Sequence, residues 1–297
     1  QRMLFCIATD WSEVVDLSRF NAAPGAFIRL TNRLQRRWQF LFVFREFDEQ
    51  QQEFEAAGGV CHWRDTPSAA RVAYDLMKNE LDLSHLEEIM PIVDALDSGG
   101  ISLEDFMEDG PVIRLSRSLS ISDPNHMQVV LNQFASGVPL NGILKSHESR
   151  LIGLTDERKI QENIVRERTQ IIDRLAICDL SETGVRSNGY LVTALAGPEA
   201  IACCVIHGYV DGSIENPNRQ ALGASFYANS FRDEENPYDL SMLATLLDET
   251  GGGHANACGC RIQPSDGSKR SLNEFDKEYN LDRWLELWKG RDLHMLR

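Results

Sequence analysis

Hydrophobic positions along this chain change rhythm partway through. In the first part, continuous apolar runs at residues 3–9 (MLFCIAT) and 40–44 (FLFVF) predict buried strands. Between and after them the apolar residues recur at helical spacing. This predicts helices over 24–38, opened by Pro24 and Gly25, and over 67–81, 82–96 and 121–137. Strands alternating with helices predict an α/β arrangement, a parallel sheet flanked by helices. The stretch 155–176 (TDERKIQENIVRERTQIIDRLA) is long and polar, and predicts a helix that links two domains. After it come short apolar segments, RLAICDL, GYLVTALA, AIACCVIHGYV and ALGASFYANSF, separated by Gly, Pro, Asn and Asp. They predict a smaller α+β domain. An amphipathic helix around Trp284, Leu287 and Trp288 closes the chain. The expected organisation is therefore a domain over 1–154, a linker helix over 155–176 and a second domain over 177–297, with a cleft between the domains.

Composition narrows the function classes. The chain has 297 residues, with 30 Lys plus Arg against 45 Asp plus Glu, a net charge of −15. A chain this acidic repels nucleic-acid backbone at long range, which argues against broad non-specific DNA binding. Local basic clusters remain: Arg29, Arg33, Arg36 and Arg37 fall mostly on one helical face, as a phosphate-facing strip or a solvated helix face. No run reaches the length of a membrane span, and QRMLFCIATDW lacks the regions of a signal peptide. Seven cysteines without disulfide-scaffold spacing point to a reducing, intracellular compartment. No Walker A motif, Rossmann fingerprint or nucleophile elbow is present.

The distinctive stretch is LLDETGGGHANACGCRI at 246–262. Consecutive glycines admit unusual backbone angles and close approach to main-chain N–H groups, so such a turn suits an anion, and His254 at its end can bind a phosphate. A helix C-cap with extra glycines is the plainer alternative. The surrounding sequence, FYANSFRDEENPYDLSMLATLLDETGGGHANACG, resembles the substrate-binding domain associated with DHH-family phosphoesterases. Ser230, Arg232, Asp239, Ala244, Gly251, Gly252, Gly253 and His254 match that pattern position by position. Upstream, DTPSAARVAYDLM and IVDALDSG resemble further segments of the family. The resemblance implies a DHH-like α/β domain joined to a domain that grips the end of a nucleotide or short oligonucleotide. It places phosphate contacts at Ser230, Arg232, Gly251, Gly252, Gly253 and His254.

The same resemblance implies two divalent metals, usually Mn²⁺, held by aspartates and an Asp-His-His triplet, which together would generate hydroxide for phosphodiester cleavage. No Asp-His-His occurs in the sequence. The carboxylates left as candidates are Asp10, Asp48, Glu49, Asp94 and Asp97. The histidines of the first part, His62, His85, His126 and His147, are not spaced as ligand pairs, and Cys258 and Cys260 lie closer together than zinc ligands usually do. The leading expectation is a non-catalytic relative that binds a nucleotide or RNA end without metal, or serves as a subunit of a larger assembly. An active Mn-dependent phosphodiesterase on short oligonucleotides is the alternative. A module that only binds protein partners is the third reading.

Overall fold

The computed structural model describes the backbone at 41–42 and 60–61 and residues 66–119, 123–207 and 222–297. The predicted strand at 3–9, the helix at 24–38 with its arginines, and Asp10, Asp48, Glu49 and His62 lie outside the described residues. By contact density the chain forms two compact units, one of residues 2–100 with 119–147, the other of 101–118 with 148–297.

In the first unit, β1 (Leu41–Phe42) pairs in parallel with β2 (Val60–Cys61). Helix α1 (Ala69–Met77) starts where Ser68 accepts a hydrogen bond from the Arg71 N–H. The helix expected over 82–96 is broken. A 3₁₀ turn at Ser84–Leu86 precedes α2 (Met90–Ser98), because Pro91 has no N–H to continue a helix and sits instead in the first turn of a new one. Later in the chain come α5 (Pro124–Ala135), capped by Asp123, and α6 (Leu140–Ser146).

The second unit begins with α3 (Leu103–Glu108) and α4 (Pro111–Ser118) and continues with α7 (Glu148–Arg168). The long helix predicted at 155–176 thus starts and ends earlier. Its last third forms instead β3 (Thr169–Ile172) and β4 (Leu175–Asp179), joined by a tight turn in which Asp173 and Arg174 both have positive φ, 47° and 67°. Such a two-residue turn matches the twist of a hairpin. The strained turn is held from outside: Arg291 binds the Asp173 carboxylate at 2.5 Å, and Trp288 Nε1 donates to the Asp173 carbonyl at 2.9 Å. The apolar segment GYLVTALA becomes α8 (Gly189–Ala196), started by the Asn188 side chain accepting from the Leu191 N–H.

The remaining strands are β5 (Ala202–Ile206), β6 (Gly223–Ala228), β7 (Gly252–His254) and β8 (Ala257–Arg261). With β3 and β4 they make one six-stranded sheet, ordered β3-β4-β5-β6-β8-β7. Only β4 and β5 run parallel, with α8 as their crossover, and the other pairs are antiparallel. One face buries Leu175, Ile177, Cys204, Ile206, Phe226 and Cys258 beneath α9 (Ser241–Thr245) and α10 (Glu274–Lys289), with Trp284 edge-on to Phe226 at 5.1 Å. Because successive strand residues alternate faces, the opposite face carries Cys203, Val205, Ser225, Tyr227, Ala257, Gly259 and Arg261. The short helix α11 (Arg291–His294) follows α10.

Burial raises the thiol pKa values of Cys178, Cys203, Cys204, Cys258 and Cys260, the last two to about 12. A thiol that stays protonated is a poor nucleophile. Titration with an aromatic disulfide reagent should therefore modify at most two of the seven cysteines in the folded protein and all seven after unfolding. Rapid modification of three or more in the native state would contradict this packing.

Candidate functional site

The site grows out of the end of β6. Asn229, 5% exposed, donates from Nδ2 to the carbonyls of Gly197 and Ala200 and accepts from the Phe231 N–H at 3.1 Å. This side-chain turn aims Ser230, Phe231 and Arg232 away from the strand. Phe231 anchors the segment against Phe106 at 5.5 Å and Tyr190 at 5.8 Å, and the Arg158 guanidinium lies 4.6 Å over the Phe106 ring. Arg158 is in turn held by Glu162 at 2.7 Å, while Arg117 forks onto Asp109. The side chain of Arg232 is only 10% exposed, yet its partner at 2.5 Å, Glu234, is 80% exposed. A largely enclosed guanidinium is thus paired with a carboxylate that is itself exposed. Ser230 is exposed. The anchoring phenylalanine was missed in the sequence because an aromatic between two motif residues reads as core.

The three glycines have three different settings. A Cβ on Gly251 would stand 2.2 Å from the Ala244 carbonyl oxygen, and one on Gly253 would stand 2.6 Å from the Ala257 oxygen. Only at Gly252 is the space open. Gly252–His254 forms edge strand β7, paired with β8 through Gly252↔Gly259, Gly253↔Cys258 and His254↔Ala257, so the expected glycine turn is a hairpin strand. Asp248 fixes its start: Oδ1 accepts from the N–H and hydroxyl of Thr250, and Oδ2 accepts from the Arg261 N–H at 2.8 Å. Burial pushes this carboxyl up, but those hydrogen bonds outweigh it and hold the pKa below its usual value.

The register brings these parts to one end of one sheet face. The turn between β7 and β8 receives the Ala228 N–H at Asn256 and the Leu240 N–H at Ala255, both at 2.9 Å. Ser230 lies two residues beyond Ala228, and His254 two before Asn256, so both leave the sheet at the same end. His254, Ala257, Tyr227 and Cys203 then form a row across the face, and Gly252, Gly259, Ser225 and Val205 form the next. Floor positions on β7 and β8 are thus small, while His254, Tyr227 and Ser225 supply polar groups. Ser225 Oγ lies 2.8 Å from His207 Nε2. Burial, with the charge of Arg186 added, lowers the His207 pKa to about 4, so its ring is neutral at pH 7. Burial also raises the Tyr227 hydroxyl, opposed by its bond to Ser225.

Among the described residues the metal-ligand candidates do not gather in the same way. Both oxygens of Asp94 are occupied, Oδ2 by Arg71 Nε and Nη2 at 2.8 and 2.5 Å and Oδ1 by Ser68 Oγ at 2.6 Å. A carboxylate neutralised by a guanidinium does not fit a dication site, since the two cations would repel. Asp97 is exposed on α2. The rings of His126 and His147 meet edge to face at 4.9 Å, and His147 Nε2 pairs with Gln133 at 2.8 Å. Among the described residues no three His, Cys, Asp or Glu side chains converge as a metal site. Cys258 and Cys260 point to the core face rather than the site face, with Cys258 Sγ against the Leu240 carbonyl.

No family profile matches the sequence and no curated protein matches it. Among solved structures the chain is similar to a pGpG-specific phosphodiesterase, PggH, of Vibrio cholerae, with a TM-score of 0.54 and 17% identity over 76% of this chain and 74% of that one. It is also similar to an exopolyphosphatase-related protein of Bacteroides fragilis, with a TM-score of 0.46 and 13% identity over 95% and 81%. The first likeness shows the fold alone, a DHH-like α/β architecture shared with that protein. Among the described residues no helix is long and apolar enough to cross a membrane.

Proposed function

We propose that this protein binds the phosphorylated end of a nucleotide or short RNA on the sheet face around His254, without metal and without cleaving it. The observation that carries this reading is Arg232, a largely enclosed guanidinium whose partner is an exposed, displaceable carboxylate. A phosphate offers the same fork of oxygens with more charge, and arginine binds it bidentately where lysine would not. Ser230 adds a hydroxyl and His254 a ring nitrogen at the same end of the sheet. The fold shared with a protein described as a pGpG-specific phosphodiesterase supports a nucleotide as the ligand. Binding without cleavage is supported by the missing Asp-His-His and by Asp94, already neutralised by Arg71.

The test titrates wild type and Arg232→Ala with a labelled 5′-phosphorylated dinucleotide. Loss of one arginine–phosphate contact should cost about 1.5–3 kcal/mol, roughly ten- to a hundredfold in affinity. Equal affinities would remove the proposal. Incubating wild type with Mn²⁺ and di- to pentanucleotides should yield no cleavage, and turnover abolished by a chelator would establish the phosphodiesterase reading in its place.

A further inference from the structure

Arg232 meets its partner at one particular corner of the guanidinium. Glu234 Oε2 accepts from Nη2 at 2.5 Å, and among the described residues neither Nε nor Nη1 has a hydrogen-bond partner. A guanidinium can grip an oxyanion at two points in two ways, along its Nε–Nη2 side or across its Nη1–Nη2 end. This chain uses both. Arg117 holds Asp109 through Nε and Nη2, and Arg270 holds Asp276 through Nη1 and Nη2. Nη2 belongs to either grip, so Glu234 stands on the one nitrogen that every two-point ligand of Arg232 needs.

The segment that carries Glu234 is tied on both sides. Asn229 turns it away from β6, and Asn236 fixes its other end, donating from Nδ2 to the Tyr238 carbonyl at 2.8 Å and accepting from the Tyr238 N–H at 3.3 Å. A carboxylate two residues from its arginine competes as part of the same chain, at an effective concentration on the order of millimolar or more. Its side chain is 80% exposed, so it can swing into water with little packing lost, and the ion pair is what a ligand must replace. A phosphodiester or a carboxylate brings one negative charge, as Glu234 does, and gains little by the exchange. A terminal phosphate brings about −1.5 to −2 at pH 7 and three acceptor oxygens.

We propose that Glu234 is an internal competitor for Arg232 and determines which anions the site accepts, admitting doubly charged terminal phosphates and turning away singly charged phosphodiesters and carboxylates. The selection rests on the reading of Arg232 as a phosphate contact. Glu234 acts by occupying Nη2, whereas its neighbours Asp233 and Glu235, also exposed, add only charge at a distance.

The experiment measures dissociation constants at one fixed salt concentration and at pH 8, above the second phosphate pKa of about 6. The ligands are a 5′-phosphorylated dinucleotide and the same dinucleotide with its 5′-phosphate methyl-esterified, which removes one charge. The proteins are wild type, Glu234→Gln, Glu235→Gln and Arg232→Ala, with thermal melts to check folding. Wild type should bind the free phosphate roughly tenfold or more tightly than the methyl ester. Glu234→Gln should strengthen the methyl ester several-fold more than the free phosphate and so narrow that gap. Glu235→Gln removes the same charge without freeing Nη2 and should leave the gap as it is. No gap in wild type, a gap unchanged in Glu234→Gln, or one narrowed equally by Glu235→Gln would overturn the inference. In each of these cases an affinity that still falls in Arg232→Ala leaves the phosphate-end reading standing. If wild type binds neither ligand, or Arg232→Ala changes neither affinity, that reading falls first and takes this one with it.

Discussion

Replacing Asp276 with alanine is expected to lower the unfolding free energy by about 3 kcal/mol, the lower end of what breaking a buried charge pair costs. The Asp276 side chain is fully buried at the start of α10. It accepts from both ends of the Arg270 guanidinium at 2.5 and 2.7 Å, from the N–H and hydroxyl of Ser265 at 2.9 Å, and from the Asn273 N–H at 3.0 Å. The last of these closes a reciprocal capping box with Asn273. Alanine would leave two backbone N–H groups without acceptors and undo the cap, while the partly exposed Arg270 can return to water. The effect should depend on pH in one direction. The Arg270 hydrogen bonds, aided by the backbone donors and opposed by burial, hold the Asp276 carboxyl far below the usual carboxylate range. A depressed folded-state pKa contributes stability that is complete above the unfolded value, about 3.9, and is lost as pH falls further. Denaturant melts should thus show the full wild-type advantage at pH 7 and a shrinking one below about pH 4. A difference that does not change between these pH values would mean the carboxylate is not the source.

Gly251→Ala is expected to be at least as damaging, about 3 kcal/mol or more, at the top of the range for overpacking. That corresponds to a fall in Tm of roughly 6–10 °C. The new methyl would meet the Ala244 carbonyl oxygen at 2.2 Å, its carbon at 2.9 Å and the Asp248 oxygen at 3.0 Å, all of them main-chain atoms that cannot swing aside. Ala244 is itself fully buried, so relief requires α9 to lift from the sheet. At Gly252 a Cβ meets nothing within 4 Å, so Gly252→Ala carries the strain of a positive φ, 157°, without a steric clash, and should cost less. Thermal melts of the two variants side by side decide the matter, and a Gly251→Ala loss no greater than that of Gly252→Ala would show that the close packing of α9 is not what Gly251 supplies.

Much of this was legible where a local rule had no competitor. The helices at Ala69–Met77 and Pro124–Ala135 lie within their predicted spans, since Ser68 and Asp123 are unambiguous caps. The linker helix was displaced because its charged, weakly periodic sequence gave no stop signal. The helix stops at Arg168, where β3 begins, and the hairpin turn that follows at Asp173–Arg174 has no glycine to mark it and is held by Arg291 more than a hundred residues away. Motif residues such as Arg232 and His254 could be picked from the sequence, but what sits between and beside them could not. Ser225, Tyr227 and Arg261 join His254 on one face only through strand register, a pairing between distant segments that no local pattern encodes.

The β7–β8 turn is fastened by residues far apart in the chain. Ala228, Asn236 and Leu240 bond it from one side, and the Arg297 guanidinium reaches both Asn256 and the Tyr238 carbonyl from the other. The core beneath the same sheet draws on the same segment through Trp284, Trp288 and Met295, so loosening of that segment would release the proposed binding end and the core together.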